Sequence, residues 1–165
     1  MAVLSWGKPR IFYKLSSATT WKEAPTPVED STELTTEKGD KTEAKIEGGA
    51  NEDVRYGKNT YALTFTIRAT KGRKKLMPDV DGIINGTYSI ALIPEDATIE
   101  GFMIDSSAVS IEDGWTAADG ATWIYTFDAL QPEDGTKQVK RGVLTPTGEG
   151  DNVTISFTEV DEDEE

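Results

Sequence analysis

Thr60-Tyr61-Ala62-Leu63-Thr64-Phe65-Thr66-Ile67-Arg68 is the stretch that decides the fold class. Tyr61, Leu63, Phe65 and Ile67 alternate with threonines, Ala62 and Arg68. A period of two places one set on a buried face and the other toward water, which is the pattern of a half-buried β-strand. The same period returns at Trp123, Tyr125 and Phe127 within Thr122–Leu130, with Thr122, Thr126 and Asp128 opposite. Ile124 interrupts that polar face, so both faces are expected to be partly covered. Near the end of the chain Val153, Ile155 and Phe157 alternate with Thr154, Ser156 and Thr158.

Further strands are expected over Arg10–Leu15, Thr87–Ile93 (stopped by Pro94), Gly101–Ile104 and Ala108–Ile111. Between them stand Asp81-Gly82, Asn85-Gly86, Asp113-Gly114, Asp119-Gly120 and Asp134-Gly135. These pairs accept positive φ at little cost and read as turns. Short strands at this spacing favour an antiparallel β-sandwich or barrel. One helix is expected around Ala69–Met77, ended by Pro78, with Lys71, Arg73, Lys74 and Lys75 on its surface. The expected core holds Leu63, Phe65, Ile67, Ile90, Leu92, Tyr125, Phe127, Ile155 and Phe157.

Pro25–Gly57 is different, rich in Thr, Glu, Lys, Asp and Gly and poor in apolar residues. A polar stretch of that length within a small domain reads as an extended loop or β-arm. Thr32–Asn51 offers too little apolar surface to offset the entropy of ordering it, and is expected to be mobile in a lone subunit. The 165 residues fit one domain, taken as 1–160 with the arm at about 28–57, followed by an acidic tail at 161–165.

Composition narrows the chemistry. The chain holds neither cysteine nor histidine, which removes disulfides, thiolate metal sites and the commonest general base near neutral pH. No stretch approaches the roughly 18 consecutive apolar residues of a membrane span. The opening Met1-Ala2-Val3-Leu4-Ser5-Trp6 is too short an apolar run for a signal peptide, so a cytoplasmic site of synthesis is expected. The net charge of −13 is unevenly spread. Met1–Lys75 carries 14 Lys and Arg against 10 Asp and Glu, whereas Leu76–Glu165 carries 3 against 20. Such polarity can orient like copies head to tail.

Local motifs weigh toward plain structure. Asp79-Val80-Asp81-Gly82 has the start of a calcium loop, but Tyr88 stands where the bidentate Glu is needed, so a turn is preferred. Lys71-Gly72-Arg73-Lys74-Lys75 is one basic run without interleaved aromatics, a weak nucleic-acid signal. Gly48-Gly49 lacks the flanking strand, helix and Lys of a phosphate loop. Trp115, Trp123, Tyr125 and Phe127 could line a sugar site, although at strand spacing core is the simpler reading. No pair of carboxylates is singled out as acid and base.

The arm from Val28 to Gly49, the following Arg55-Tyr56-Gly57-Lys58-Asn59-Thr60-Tyr61, and Thr116–Gly120 running into Trp123-Ile124-Tyr125-Thr126-Phe127 resemble the major tail (tail tube) proteins of tailed phages. That resemblance implies a β-sandwich with one flanking helix and a long loop. It implies six-subunit rings stacked head to tail into a tube with a continuous β inner wall. The loop, here Thr32–Asn51, would reach the neighbouring ring. The residues expected to serve it are Glu37, Lys38, Asp40, Lys41, Glu43, Lys45 and Glu47. Implied partners are further copies of the chain and other tail proteins, with DNA passing through unbound. The implied location is the virion tail, and the host cytoplasm during assembly. No enzymatic activity, catalytic residue, metal or cofactor is expected. The rival is a stand-alone β-sandwich module binding sugar or protein through Trp115 and Trp123, with an enzyme third.

Overall fold

The structure, a computed structural model, describes residues 7–132 and 137–159. The Asp134-Gly135 turn, the acidic tail 161–165 and the opening Met1–Trp6 lie outside the described residues. The fold is antiparallel β. Its strands are β1 (Arg10–Leu15), β2 (Lys22–Glu23), β3 (Glu33–Glu37), β4 (Lys41–Lys45), β5 (Asn51–Tyr56), β6 (Thr60–Arg68), β7 (Tyr88–Ile93), β8 (Gly101–Thr116), β9 (Gly120–Ala129), β10 (Val139–Thr147) and β11 (Thr154–Glu159). The main sheet runs β2-β1-β7-β8-β9-β6-β3 and is not closed, with β10 joined to β8 and β11 to β10. β4 and β5 form a separate two-stranded sheet.

β6 behaves as its alternation requires. Leu63, Phe65 and Ile67 are buried, and they face Phe127, Tyr125 and Trp123 across the ladder to β9. The Phe65 ring stacks between Tyr125 and Phe127, with centroids 5.4 and 5.7 Å away. This is the centre of the larger core, joined by Ile11, Tyr13, Ile90, Ile104 and Ile111. Phe12, Trp21, Ala91, Ile93, Leu144 and Val153 form a second cluster. Adjacent residues of β1 and β7 therefore contribute to different cores, and both strands are covered on both faces. That explains why Ile11, Phe12 and Tyr13 are buried in succession instead of alternating. Of the expected core, Leu92, Ile155 and Phe157 are only partly buried, packed at the margins of these clusters.

β8 links the two cores. Its start pairs with β7 and β10, and Ser107–Thr116 pairs with β9. Gly101–Ile104 and Ala108–Ile111, expected as two strands, are thus one strand of 16 residues. The polar gap between them is where the chain changes partners. The β7–β8 register shifts there, and the buried Ser107 hydroxyl donates to the Tyr88 carbonyl at 2.7 Å. The Ser89 hydroxyl donates to the Asp105 carbonyl at 2.5 Å. Both buried hydroxyls are therefore satisfied.

Ala24-Pro25-Thr26-Pro27-Val28 crosses between the two flanks of the main sheet. The Ala24 N–H donates to Ile11 O and the Val28 N–H to Thr66 O, each at 2.8 Å. The prolines between them carry no N–H to satisfy, which suits a chain that runs alone between two sheet edges. At the other side of the molecule Trp21 and Val153 exchange backbone hydrogen bonds at 2.7 and 3.1 Å, tying the β10–β11 hairpin to the β1 flank.

The helix expected at Ala69–Met77 is not formed. Gly72 sits at φ +81°, and the Arg73 N–H closes a turn onto Thr70 O at 3.0 Å, so the segment turns where a helix would continue. Asp113-Gly114 is likewise no turn but part of β8, opposite Trp123 and Thr122. Asp81-Gly82 and Asp119-Gly120 do turn the chain, with Asp81, Gly82 and Gly120 at positive φ. No helix of the described residues is long and apolar enough to cross a membrane.

Candidate functional site, the projecting hairpin

The polar stretch divides into two parts. β3 joins the main sheet as an edge strand beside β6, with Leu34 opposite Leu63 and packed against the core. β4 and β5 then leave the sheet as a hairpin paired only to each other. Every residue of β4 is exposed, and in β5 all but Val54 are. The turn between them places Gly48 and Gly49 at φ +94° and +86°. Each strand leaves its outer edge unpaired among the described residues.

The hairpin springs from a tight neck. The Gly57 N–H donates to Asp40 O at 2.7 Å, and the Gly39 N–H donates to the Asn59 side-chain Oδ1 at 3.0 Å. A Cβ on Gly39 would lie 2.1 Å from the Gly57 carbonyl oxygen and 2.7 Å from that of Lys58. Glycine is required there because two backbone strands approach closer than any side chain allows.

The seven expected assembly residues are spread along this arm and form no single cluster. Glu37 closes β3, and Lys38 and Asp40 sit at the neck. Lys41, Glu43 and Lys45 share one face of β4, and Glu47 lies at the far turn. Glu43 bridges its two neighbours, 2.8 Å from Lys41 and 3.6 Å from Lys45. These exposed pairs add little stability, on the order of 0–1 kcal/mol each. None of the expected assembly residues lies on the other strand. Tyr56 is 62% exposed, opposite Lys41 and with the Lys38 ammonium 5.8 Å from its ring centroid, and Ile46 is half exposed at the turn. The signal for Tyr56 was its lone aromatic ring within a polar stretch.

Other candidate chemistry resolves into structure. The Asp79 carboxylate accepts from Lys75 Nζ and from the Gly82 N–H, both at 3.0 Å. Its pKa is lowered, chiefly by the Lys75 hydrogen bond, and that of Lys75 is raised by Asp113 and Asp79. The basic segment is thus clamped at Lys75 and the calcium-like motif is a turn. Tyr125 and Phe127 are core, but Trp115 is not, being 72% exposed at the β8–β9 tip. A cleft of about 320 Å³ is lined by Tyr13, Lys14, Lys22, Met77, Pro78 and Tyr88 among others, with no carboxylate in its wall.

No protein-family model matches the chain, and no curated protein matches it at a significant level.

Proposed function

We propose that the protein is a structural protein of a phage or prophage tail. It self-assembles into hexameric rings that stack into the tube through which DNA passes, and its sheets form a β-sandwich. Partners are other copies of itself and other tail proteins, and DNA is not specifically bound. The observation that carries this reading is the β4–β5 hairpin, a two-stranded sheet exposed on both faces and, among the described residues, unpaired at both edges. An isolated hairpin is marginal in water, and its free edges gain backbone hydrogen bonds by strand addition to another chain. A contact between an arm and a different surface of the next copy is heterologous, the kind that closes a ring or extends a filament.

Electron microscopy of concentrated protein tests this, comparing wild type with a variant in which Lys41–Tyr56 is replaced by two glycines. The Asp40–Gly57 hydrogen bond shows that so short a link spans the neck. The expected result is tubes from wild type, and a folded variant by circular dichroism that forms none. Failure of wild type to form rings or tubes at any concentration, with or without a tail-tip nucleator, overturns the reading. The second reading, a stand-alone module binding sugar or protein, is favoured by one observation, the exposed indole of Trp115.

A further inference from the structure

β3 and β4 each keep one edge without a strand partner among the described residues. The hydrogen bonds already made fix which residues point out of those edges. The Ala69 N–H donates to Ala121 O, and Arg68 lies opposite Thr122, so the odd-numbered residues of β6 bond to β9. The backbone groups of even-numbered residues then face β3, as Thr66 shows by accepting from the Val28 N–H. In β3 the bonded pairs are Glu33–Thr64, Thr35–Ala62 and Glu37–Thr60, so Leu34 and Thr36 direct their N–H and C=O groups outward. In the hairpin the Gly57 N–H donates to Asp40 O, and beyond the bulge the Ile46 N–H donates to Ala50 O. Asp40, Thr42, Ala44 and Ile46 are therefore turned toward β5, and Lys41, Glu43 and Lys45 carry the outward groups of β4.

Side chains give these edges a matching charge pattern. Glu33, Thr35 and Glu37 share the face of β3 that turns away from Leu34 and the core, and all three are exposed. Lys41, Glu43 and Lys45 share one exposed face of β4. Two glutamates on one edge and two lysines on the other thus recur at the same spacing. An antiparallel match sets Glu37 against Lys41 and Glu33 against Lys45, with Leu34 opposite Ala44 and Thr36 opposite Thr42. Those β4 residues have already given their backbone groups to β5, so that match forms no ladder. A parallel match sets Glu33 against Lys41, Thr35 against Glu43 and Glu37 against Lys45. Parallel bonds are slanted, so a residue bonds to the two that flank its opposite number. Leu34 then meets Lys41 and Glu43, and Thr36 meets Glu43 and Lys45, all with outward groups. β5 offers no such match, because it sets Glu52 and Asp53 beside its single cation, Arg55.

We propose that β4 of one copy adds in parallel to the outer edge of β3 of the next, with Lys41 on Glu33 and Lys45 on Glu37. Within one chain only Lys38, Gly39 and Asp40 separate the two strands, whereas parallel neighbours need a crossover of about a dozen residues or more. The contact is therefore between copies. Each copy donates β4 and accepts on β3, two different surfaces, so the junction is heterologous and leaves both ends open to further copies. This rests on the self-assembly reading and names the surface that receives the arm. Backbone hydrogen bonds supply the affinity, and the charge rows set direction and register.

The chain has no cysteine, so introduced thiols report the register. Thr36 and Ala44 are exposed, uncharged and opposite each other in the parallel match. Full-length T36C and A44C proteins, mixed and oxidised at low salt, should form a disulfide-linked dimer, whereas T36C mixed with T42C should not. Linkage of T36C to T42C in preference to A44C is the antiparallel register and overturns the proposal. Sedimentation velocity supplies the second measurement, on E33K/E37K and K41E/K45E. The hairpin belongs to neither core, and Glu33 and Glu37 lie on the exposed face of β3, so both variants should keep their fold. Each should self-associate at least roughly tenfold more weakly than wild type, and the chain carrying all four changes should recover. Wild-type association of either variant, or no recovery in the combined chain, overturns the proposal. Tubes from wild type without the T36C–A44C link sink this junction and leave the tail-tube reading standing. That link without tubes from wild type does the reverse.

Discussion

The phenol oxygen of Tyr125 accepts a hydrogen bond from the Leu76 backbone N–H at 3.1 Å, joining the centre of the larger core to a segment that lacks regular structure. Burial raises the Tyr125 pKa. Tyr125→Phe should keep the packing and orphan the Leu76 N–H. The expected cost is about 1–3 kcal/mol, read as a lower midpoint in urea at unchanged slope. An unchanged midpoint would mean that water replaces the phenol without penalty.

Phe65 is fully buried and stacked against two rings, so truncation leaves a cavity that its neighbours cannot refill. Phe65→Ala should cost roughly 3–5 kcal/mol. A loss under about 1 kcal/mol would place this face of β6 outside the core.

The hairpin should open independently of the sheet. Amide exchange is expected to be fast over Lys41–Tyr56 and slow over Tyr61–Ile67, because the hairpin shares no core with the rest. Gly39→Ala should disturb the neck through backbone collision and displace the arm. Tube formation should fall while the unfolding free energy read from urea titration changes by less than about 1 kcal/mol. Equal protection of arm and sheet in a verified monomer, or normal tubes from Gly39→Ala, would contradict this account.

Alkaline pH should find a weak point at Tyr13. The side chain is buried, and that burial, helped by Asp151, Tyr125 and Tyr88, pushes its pKa up to about 12. Below pH about 10 the phenol is protonated in both folded and unfolded chains and exerts no pH effect. Above that the unfolded chain releases the proton while the folded one retains it. Stability should fall by roughly 1.4 kcal/mol per pH unit until pH about 12. Urea titrations of wild type and Tyr13→Phe between pH about 9 and 12 check this. The variant should show the shallower decline, and parallel declines would rule out Tyr13 as the source.

The strands that sequence reading found are those whose two faces meet different surroundings. β6 alternates because one face meets the larger core and the other is less covered, and β9 follows it only at Tyr125 and Phe127, with Ile124 breaking its polar face. β1 and β7 were recognisable by composition, but their burial on both faces follows from a second core that Trp21 and the β10–β11 hairpin complete. That hairpin was half seen. Gly142 and Pro146 break the pattern of β10, yet Gly142 is there because a Cβ would meet the Thr158 carbonyl oxygen at 2.3 Å. The single strand β8 read as two because Asp105 and Ser106 stand where it changes partners. The helix was expected from a run of helix-permissive residues, and one glycine in a left-handed conformation decided otherwise. For the arm, polarity announced an unusual segment. Its division into an edge strand and a free hairpin depends on Leu34 finding Leu63, a contact between distant parts of the chain.

β8 has a mechanical consequence. Its two ends lie a full strand of 16 residues apart, Gly101 beside β10 and Thr116 at the β8–β9 tip. Tension entering at Thr116 and leaving near Gly101 runs down one covalent strand. To slip, β8 would have to shear its ladders with β9 and with β7 and β10, breaking many hydrogen bonds together. A load across the strands would instead open them one at a time, so the sheet is stiff along β8 and weak across it.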